Sequence, residues 1–321
     1  MIMNKYKFIT SFGEHSISLS LHDCVIDTNR KPVNETYGNC FFKIVNTNGY
    51  CEYQSTLFET IPDCFRFPQK IKDGTYRFCI CFKSPYEDNI YYDLFGPQRG
   101  IPIRKNGRCI EFIPSPILKH NKSFLDLQNK YLHNGVLSHG LKPSHMIQST
   151  APEIIGLAKE LTRNSADTIS MIKDIYFYVS RTLLYDKVSL DNGSYCYTGQ
   201  TAYEVLKHNK CVCQGFANLT VAMCRAIGIP SFSVAAFVKS DKKQWGDFGN
   251  DSHQCSNHQI ALAWANCYDR WIVMDPTWDN DQYYDTNGYG ERHGNGLVYN
   301  YFDVTTEFIS YTHRFEKILN I

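Results

Sequence analysis

The sequence of 321 residues predicts an α+β protein with two domains, and three observations support that prediction. The first third alternates short apolar runs with Asn-Gly, Asp-Gly and Pro turns, a pattern typical of antiparallel strands. The middle changes to apolar residues three and four positions apart, which indicates helices. After Gly228 the apolar spacing changes to two, which indicates a second antiparallel sheet.

Residues 1–116 are expected to form an all-β, sandwich-like domain. The alternating or apolar pattern occurs in four short segments: Ile17–Leu21, Cys40–Val45, Thr75–Phe82 and Arg108–Ile113. The run from Lys72 to Phe78, which begins Lys-Asp-Gly-Thr-Tyr, resembles a turn and strand of an immunoglobulin-like domain. We therefore expect an immunoglobulin-like accessory domain at this end of the chain.

Residues 117–149 are mostly polar and show little sustained periodicity, so we interpret them as a linker that packs along the surface. A second domain then covers residues 150–321. Its first helix is expected to begin with Thr150 as the N-cap, followed by Pro152 in the first turn. Further helices are expected from about Ser165 to near Leu184 and over Thr201–His208.

Cys213 lies at or just before the start of another helix. Phe216, Leu219, Met223 and Ile227 follow at spacings of three, four and four, so one face of this helix is predicted to be buried. The N-terminus of a helix has unpaired backbone N–H groups and the positive end of the helix dipole, and both favour an anion. Because the thiolate is the nucleophilic form of cysteine, Cys213 is a candidate nucleophile.

His258 and Asp275 are the candidate base and orienting group that such a thiol requires. Period-two alternation predicts three strands, Phe232–Val238, His258–Trp264 and Trp271–Asp275. If Trp264 pairs with Trp271 across a hairpin, Ile260 faces Asp275 and His258 lies diagonal to it. The backbones would then be about 7 Å apart, within reach of an imidazole and a carboxylate.

Two polar segments and the chain end complete this domain. Residues 240–257 and 279–296 are rich in polar residues and are interpreted as loops, the first of them beside the site. Residues Tyr299–Phe302 are expected to form the last strand, and an amphipathic tail follows.

Three blocks of residues resemble a known family. Cys213-Gln-Gly-Phe-Ala, Asn257-His258 and Trp271-Ile-Val-Met-Asp275-Pro-Thr-Trp-Asp are similar, in the same order, to the Cys, His and Asp blocks of the transglutaminase-like superfamily. The bacterial and kyphoscoliosis-peptidase-like branches are nearest in pattern. The similarity extends over roughly residues 152–313.

This resemblance implies a papain-like core, in which helices pack on an antiparallel sheet, and thiol chemistry on amide bonds. Cys213, His258 and Asp275 would form the catalytic triad of a cysteine peptidase or amidase acting on a peptide or protein. Transfer of the acyl group to an amine, as in a protein-glutamine transglutaminase, is the alternative. No cofactor and no metal are expected for either reaction.

The sequence offers several donors that could stabilise the oxyanion. The family's upstream tryptophan has no counterpart, because all four tryptophans follow Cys213. Gln200, Tyr197 and Tyr203 are the side-chain candidates, alongside the backbone N–H of Cys213.

Two non-enzymatic interpretations stay open. Cys211-x-Cys213 and His253-x-Cys255-x-x-His258 offer thiolate and imidazole ligands that could close a structural zinc site. A binding scaffold with a silent site is the other interpretation, and the presence of Cys213, His258 and Asp275 together argues against it.

Composition excludes several classes of partner. The formal net charge of +1 provides no basic field for nucleic acid, and no run approaches the length of about 20 apolar residues that spans a membrane. Asn4, Lys5 and Lys7 interrupt the N-terminus, so a cytoplasmic location is expected unless an N-terminal signal was trimmed. Thirteen cysteines, an odd number, then favour reduced thiols. The oligomeric state is not predicted.

Overall fold

The computed structural model describes residues 9–13, 16–19, 40–59, 62, 64–83, 91–93, 101–113, 116–133, 136–238, 256–280, 282–285, 288–291, 301–304, 306–310 and 312–319. These ranges form an α+β structure, as predicted, with strands first, helices next and a second antiparallel sheet last. Within these ranges, every helix is too short or too polar to cross a lipid bilayer.

The N-terminal region is built from strands alone. Its strands are β1 (Ile9–Gly13), β2 (Ser16–Leu19), β3 (Cys40–Asn46), β4 (Cys51–Gln54), β5 (Cys64–Arg66), β6 (Gly74–Lys83), β7 (Tyr91–Asp93), β8 (Ile101–Asn106) and β9 (Cys109–Phe112). One sheet has the order β1-β2-β5, and the other has the order β4-β3-β6-β8-β9 with β7 paired to β6. The four predicted strands are confirmed as β2, β3, β6 and β9.

The two N-terminal sheets pack through aromatic side chains. The ring of Phe65 on β5 lies 4.9 Å from that of Phe42 on β3 and 5.1 Å from that of Phe78 on β6. This contact gives the predicted sandwich-like arrangement. The hydroxyl of Tyr76 donates to the carbonyl of Lys72 at 2.9 Å, the type of contact made by the tyrosine corner of immunoglobulin-like domains. Assignment to that domain class stays a prediction.

The helices of the second region follow the predicted order. They are α1 (Pro116–His133), α2 (Pro152–Thr162), α3 (Thr168–Thr182), α4 (Lys187–Asp191), α5 (Ala202–His208), α6 (Cys213–Ala226) and α7 (Thr306–Ile309), with 3-10 turns at Val136–Leu141 and Thr198–Gln200. One detail is corrected. The N-cap of α2 is Ala151 rather than Thr150, and its side chain makes no capping bond. Proline at the first helical position sets the backbone angle instead.

Helix α1 corrects the interpretation of residues 117–149 as a linker. The helix packs on the last strand, where the ring of Phe124 lies 5.6 Å from that of Phe315. Asn121 is fully buried and hydrogen-bonds Ser310, His313 and Phe315. Its buried face is short and interrupted by polar residues, which explains why periodicity did not reveal it. The domain boundaries proposed from the sequence stay a prediction.

The central sheet of the second region has the order β14-β13-β12-β17 and is antiparallel throughout. Its strands are β12 (Ser231–Val238), β13 (His258–Ala265), β14 (Arg270–Met274) and β17 (His313–Leu319). The predicted last strand is corrected, because Phe302 forms only an isolated bridge with Met274. The final strand is β17, which the sequence had indicated as a tail.

A smaller sheet joins β11 (Lys210–Cys211), β10 (Leu184–Asp186), β15 (Gln282–Asp285) and β16 (Gly288–Glu291) in that order. Strands β15 and β16 pair antiparallel within residues 279–296, which the sequence indicated as a loop. Most of the other predicted loop, residues 240–257, lies outside the described residues.

Helix α6 packs against one face of the central sheet. Phe216, Leu219 and Met223 are completely buried there, as the helical spacing predicted. Ala261, Ala263 and Ala265 of β13 belong to the same core. Small side chains on this face let the helix approach the sheet closely. The opposite face carries larger apolar residues and is covered by α1. The N-terminus of α6 therefore has a fixed position above the sheet.

Candidate active site

Cys213 is the first residue of helix α6. The preceding residue, Val212, is the N-cap in an extended conformation and provides no side-chain capping bond. The Gly215 N–H bonds the Val212 carbonyl at 2.8 Å, so the N–H groups of Cys213 and Gln214 are those that can face an anion, and the dipole favours one there. The Cys213 side chain is partly exposed. This placement agrees with the position predicted for a nucleophilic thiol.

Cys211, two residues earlier, lies in the core. It is 1% exposed, and a Cβ added at Gly215 would lie 2.4 Å from the Cβ of Cys211. Its side chain thus fills the space beneath the first turn of α6. Burial raises the pKa of the Cys211 thiol well above its ordinary value. Cys211 is consequently a poor nucleophile and a poor metal ligand.

The strand register that the sequence suggested is present. Trp264 pairs with Trp271 across the β13–β14 hairpin. As a result, His258 at the start of β13 meets Asp275 directly after β14, and Nε2 of His258 lies 2.7 Å from Oδ2 of Asp275. The remaining ring nitrogen of His258, Nδ1, is the one not paired with Asp275, and the nearby Cys213 contributes to raising the pKa of His258. The structure therefore brings Cys213, His258 and Asp275 together.

The electrostatics of this group favour a charged imidazole. Burial would lower the pKa of His258, but the negative charge of Asp275 and the interaction with Cys213 outweigh it and raise that pKa to about 10. Burial would likewise raise the pKa of Asp275, but the charge and hydrogen bonds of His258 and the hydrogen bond of His313 hold it well below its usual range. Asp275 is thus a buried carboxylate paired with an imidazolium.

The Asp275 carboxylate accepts four hydrogen bonds although it is fully buried. Its Oδ1 accepts from the backbone N–H of Thr277 at 3.0 Å and of Trp278 at 3.2 Å, which closes a turn after β14. Its Oδ2 accepts from His258 at 2.7 Å and from His313 at 3.0 Å. A carboxylate with this many donors is held in one orientation and remains ionised.

Trp278 packs beside the two histidines. Its ring centroid lies 4.6 Å from that of His313 and 6.2 Å from that of His258. The indole is partly exposed, whereas Asp275 has no exposed surface. The side chain therefore lies at the edge of the carboxylate–imidazole group, where it limits access of water.

Of the three side chains considered as oxyanion donors, Gln200 lies beside the helix start. Its Oε1 accepts from the backbone N–H of Val212 at 2.9 Å. Since the backbone group is a donor, the side-chain atom facing it must be the oxygen, and the amide nitrogen points elsewhere. Tyr197 is 58% exposed, and the hydroxyl of Tyr203 faces Glu153 at 3.4 Å.

A buried amide network supports Gln200 from behind. The side-chain nitrogen of Asn218 donates to the Gln200 carbonyl at 2.8 Å, and its oxygen accepts from the side chain of Gln259 at 2.9 Å. Gln259 follows His258 on strand β13. The network therefore joins β13 to the residue beside the helix start.

His313 and Gln259 are the residues near the site that sequence reasoning did not find. The only available signal for His313 was its place in an alternation of buried residues with Phe315, and no partner within the sequence pointed to it. Both residues contact the site from strands whose neighbours are distant in sequence. Such contacts do not appear in local periodicity.

The metal interpretation is tested in part. His253 and Cys255 lie outside the described residues. Within the described part of the chain, His258, Asp275 and His313 are the group whose ligand atoms lie close together, all within 4.8 Å. However, the Nε2 atom of His258 lies 2.7 Å from Oδ2 of Asp275, and the Nε2 atom of His313 lies 3.0 Å from the same oxygen. Ligands around tetrahedral zinc would be about 3.3 Å apart, so these are hydrogen-bond distances.

Comparison with known proteins supports the resemblance found in the sequence. Residues 155–276 match the sequence model of the transglutaminase-like superfamily, and this segment contains Cys213, His258 and Asp275. The predicted resemblance is therefore confirmed for this part of the chain. No curated protein matches the sequence.

Several solved structures are similar to this chain at low identity. A candidate cysteine protease from Cytophaga hutchinsonii is 21% identical over 49% of this chain and 46% of its own, with a TM-score of 0.35. The periplasmic domain of TgpA from Pseudomonas aeruginosa is 11% identical over 84% of this chain and 95% of its own, with a TM-score of 0.33. Red sea bream transglutaminase is 12% identical over 88% of this chain and 49% of its own, with a TM-score of 0.30. The match covers less than half of the Cytophaga protein.

Proposed function

Because residues 155–276 match the transglutaminase-like superfamily, we propose that this chain is a thiol-dependent acyl-transfer enzyme that cleaves amide bonds of peptides or proteins. Cys213 is the nucleophile, His258 the proton carrier and Asp275 the orienting carboxylate. The observation that supports this most is the 2.7 Å pair of His258 with the buried Asp275, next to a thiol at a helix N-terminus that helps to raise the pKa of His258.

The reaction follows from these positions. His258 holds on Nδ1 the proton that Cys213 has given up, and the Cys213 sulfur forms a bond to the amide carbon while the carbonyl electrons move onto oxygen. Collapse of this intermediate breaks the C–N bond, and the His258 imidazolium gives its proton to the leaving amine. Water, with His258 as base, then hydrolyses the thioester and releases the thiolate.

The oxyanion is stabilised in this proposal by two donors. One is the backbone N–H of Cys213, which has no intrahelical partner at the first position of a helix. The other is the side-chain nitrogen of Gln200, whose amide oxygen is held by Val212. Two donors at this place would stabilise negative charge only as the carbonyl becomes tetrahedral, which lowers the barrier.

Gln200→Glu tests that assignment with little change in shape. The carboxylate still accepts from the Val212 N–H but offers no donor, so acyl-enzyme formation should fall by about 10²–10³-fold. Tyr203→Phe is the control and should leave the rate within about twofold, because that hydroxyl faces Glu153. Equal rates for Gln200→Glu and the unmodified chain would remove Gln200 from the oxyanion site.

The activity itself is tested by screening peptides and glutamine donors with and without a primary amine. Mass spectrometry of the quenched protein should find an acyl adduct on Cys213 that is absent in Cys213→Ser. Hydrolysed product without amine supports a peptidase or amidase, and an amine-linked product supports a transglutaminase. No adduct and no product with any donor would favour a binding scaffold.

A further inference from the structure

His313 makes a second imidazole contact to the candidate orienting carboxylate. It is the first residue of β17, it is fully buried, and its Nε2 lies 3.0 Å from Oδ2 of Asp275. Its Nδ1 lies 2.8 Å from the hydroxyl oxygen of Thr312. Both ring nitrogens therefore have polar partners although the ring has no contact with solvent.

The protonation of this ring follows from its partners. Ionised Asp275 can only accept hydrogen bonds, so Nε2 of His313 must carry a proton. Burial of the ring lowers the pKa of His313, and the nearby His258 charge acts in the same direction. A neutral imidazole has a single N–H, so Nδ1 is the acceptor and the Thr312 hydroxyl donates to it.

Tyr301 extends the same chain of hydrogen bonds. Its hydroxyl interacts with the Thr312 side chain, and burial together with the charges of Asp279 and Asp275 raises the pKa of Tyr301 well above its ordinary value. Tyr301 is thus a protonated phenol beside Thr312. The direction of donation is set from the Thr312 hydroxyl through His313 to Asp275.

We propose that His313 is a positioning residue, a neutral Nε2–H donor set by Thr312 that holds the Asp275 carboxylate in place for His258. This role rests on the proposed function, because positioning matters only if His258 carries a proton during catalysis. His313 makes and breaks no bond. The Oδ2 atom presents one lone pair to each imidazole, so the His313 bond directs the other lone pair toward His258.

Three other ionisable groups lie around the Asp275 carboxylate and His258. Cys213 faces His258 from α6, and Tyr301 approaches from the segment before α7. Asp279 accepts from the Tyr176 hydroxyl at 2.6 Å and from the Tyr301 backbone N–H at 2.8 Å, which fixes the segment that carries Tyr301. Among the described residues, His258 is the group here that gains a positive charge.

The first test observes the ring nitrogens of the full chain labelled with ¹⁵N-histidine. The expected spectrum shows His313 protonated on Nε2 alone, with no change between roughly pH 5 and 8, the range in which an ordinary histidine titrates. The signal is assigned by its loss in His313→Gln. A doubly protonated His313, or a proton on Nδ1, would overturn the proposal.

The second test measures how fast iodoacetamide modifies Cys213. His313→Leu removes the donor and should lower the rate near neutral pH by about tenfold. A tenfold effect corresponds to a change of about one in the pKa of His258. His313→Gln keeps an N–H donor and should return the rate to within about threefold. Equal rates in folded His313→Leu and the unmodified chain would contradict the proposal.

Thr312→Val provides the variant that keeps the histidine if His313→Leu does not fold. Loss of the hydroxyl should leave His313 as a mixture of tautomers, and Thr312→Ser should restore the single tautomer. A single Nε2–H tautomer in Thr312→Val would show that Thr312 does not set it, and would overturn that part. The tautomer is measured without any reaction at Cys213. The positioning role of His313 can therefore fail while Cys213 is reactive, and it can hold while Cys213 is inactive.

Discussion

Cys213 differs from the other described thiols in its surroundings, since it alone among them begins a helix and faces an imidazole. Cys40 and Cys224 are buried, which raises the pKa of Cys40 to about 11 and that of Cys224 to about 12. At neutral pH such thiols are almost entirely protonated and react slowly. These differences in surroundings predict that the cysteines react at very different rates.

We expect limiting iodoacetamide to modify Cys213 before the other described cysteines near neutral pH, as peptide mapping would measure. Cys196 is the control. It is exposed, and the Thr198 hydroxyl with the backbone N–H groups of Gly199 and Thr198 lowers the pKa of its thiol. Thr198→Ala should slow Cys196 and leave Cys213 unchanged. First labelling at Cys211 would mean that the nucleophile is misassigned.

His258 and Asp275 should act as one unit. Asp275→Asn should slow turnover by about 10⁴-fold, because the amide no longer stabilises the imidazolium or its tautomer. His258→Ala should cost at least as much, because the proposed proton carrier is gone.

The double variant should be no slower than His258→Ala alone. His208→Ala is the matched control, since His208 is exposed and pairs only with Glu204. Losses that multiply in the double variant would place the base elsewhere.

At the scale of elements, the start of α6 has no spare volume. A Cβ at Gly215 would lie 2.7 Å from the Cys211 sulfur and 2.7 Å from a methyl group of Val205. Gly215 therefore lets the first turn of α6 approach β11 and α5, and the approach sets the height of Cys213 above the sheet.

Gly215→Ala should lower the free energy of unfolding by about 1–3 kcal/mol through overpacking and should also slow Cys213 alkylation. Gly156→Ala is the control on α2, where the added methyl group meets nothing within 4 Å. That change should stabilise the protein by up to about 1 kcal/mol, because alanine is the better helix former. Denaturant unfolding measures both, and a neutral Gly215→Ala would show that the helix start can adjust.

Helix α1 connects the segment after the N-terminal sheets to the strand that carries His313. Its contacts include the fully buried Asn121, which bonds Ser310 at 2.8 Å and the backbone of β17 at 2.9 Å in two places. A segment that sequence reasoning treated as a linker is thus part of the support for the candidate site.

Asn121→Ala should cost about 3 kcal/mol of unfolding free energy, near 1 kcal/mol for each of its bonds. Trypsin should then cleave within α1 faster than in the unmodified chain. Ser123→Ala, at an exposed position on the same helix, should change stability by less than about 0.5 kcal/mol. Rapid cleavage of the unmodified chain within residues 116–133 would contradict the packing of α1.

At the scale of the whole molecule, the His258–Asp275 pair links stability to pH. The pKa of Asp275 is lowered on folding, so its contribution is present above about pH 4 and is lost as pH falls toward the folded value. The pKa of His258 is raised to about 10, so its contribution is present below pH 6.5 and is lost as pH rises toward 10. The pair thus stabilises the fold most between about pH 4 and 6.5.

The stability lost in Asp275→Asn should therefore be largest between about pH 4 and 6.5 and should shrink in both directions. Denaturant unfolding at several pH values measures this difference. Asp191→Asn is the control, because Asp191 is exposed and its pair with Lys187 lies at the surface. A constant cost across the range would show that the carboxylate charge does not contribute.

The sequence by itself determined that strands come first, helices next and a second antiparallel sheet last. Apolar spacing located α6 and the strands β12, β13 and β14, because burial of one face imposes a period of 3.6 or 2. The register that brings His258 to Asp275 was assumed from a pairing of Trp264 with Trp271, and the structure has that pairing. These features depend on neighbours in sequence or on one short hairpin.

The tertiary structure alone decided which distant residues complete the site. His313, Gln259 and helix α1 reach it through β17, Asn218 and Asn121, and the lengths of chain between these partners carry no periodic signal. Gln200 was distinguished from Tyr197 and Tyr203 only when its oxygen was seen to face Val212. Buried polar groups must find hydrogen-bond partners, but which partner they find depends on packing between elements rather than on local pattern.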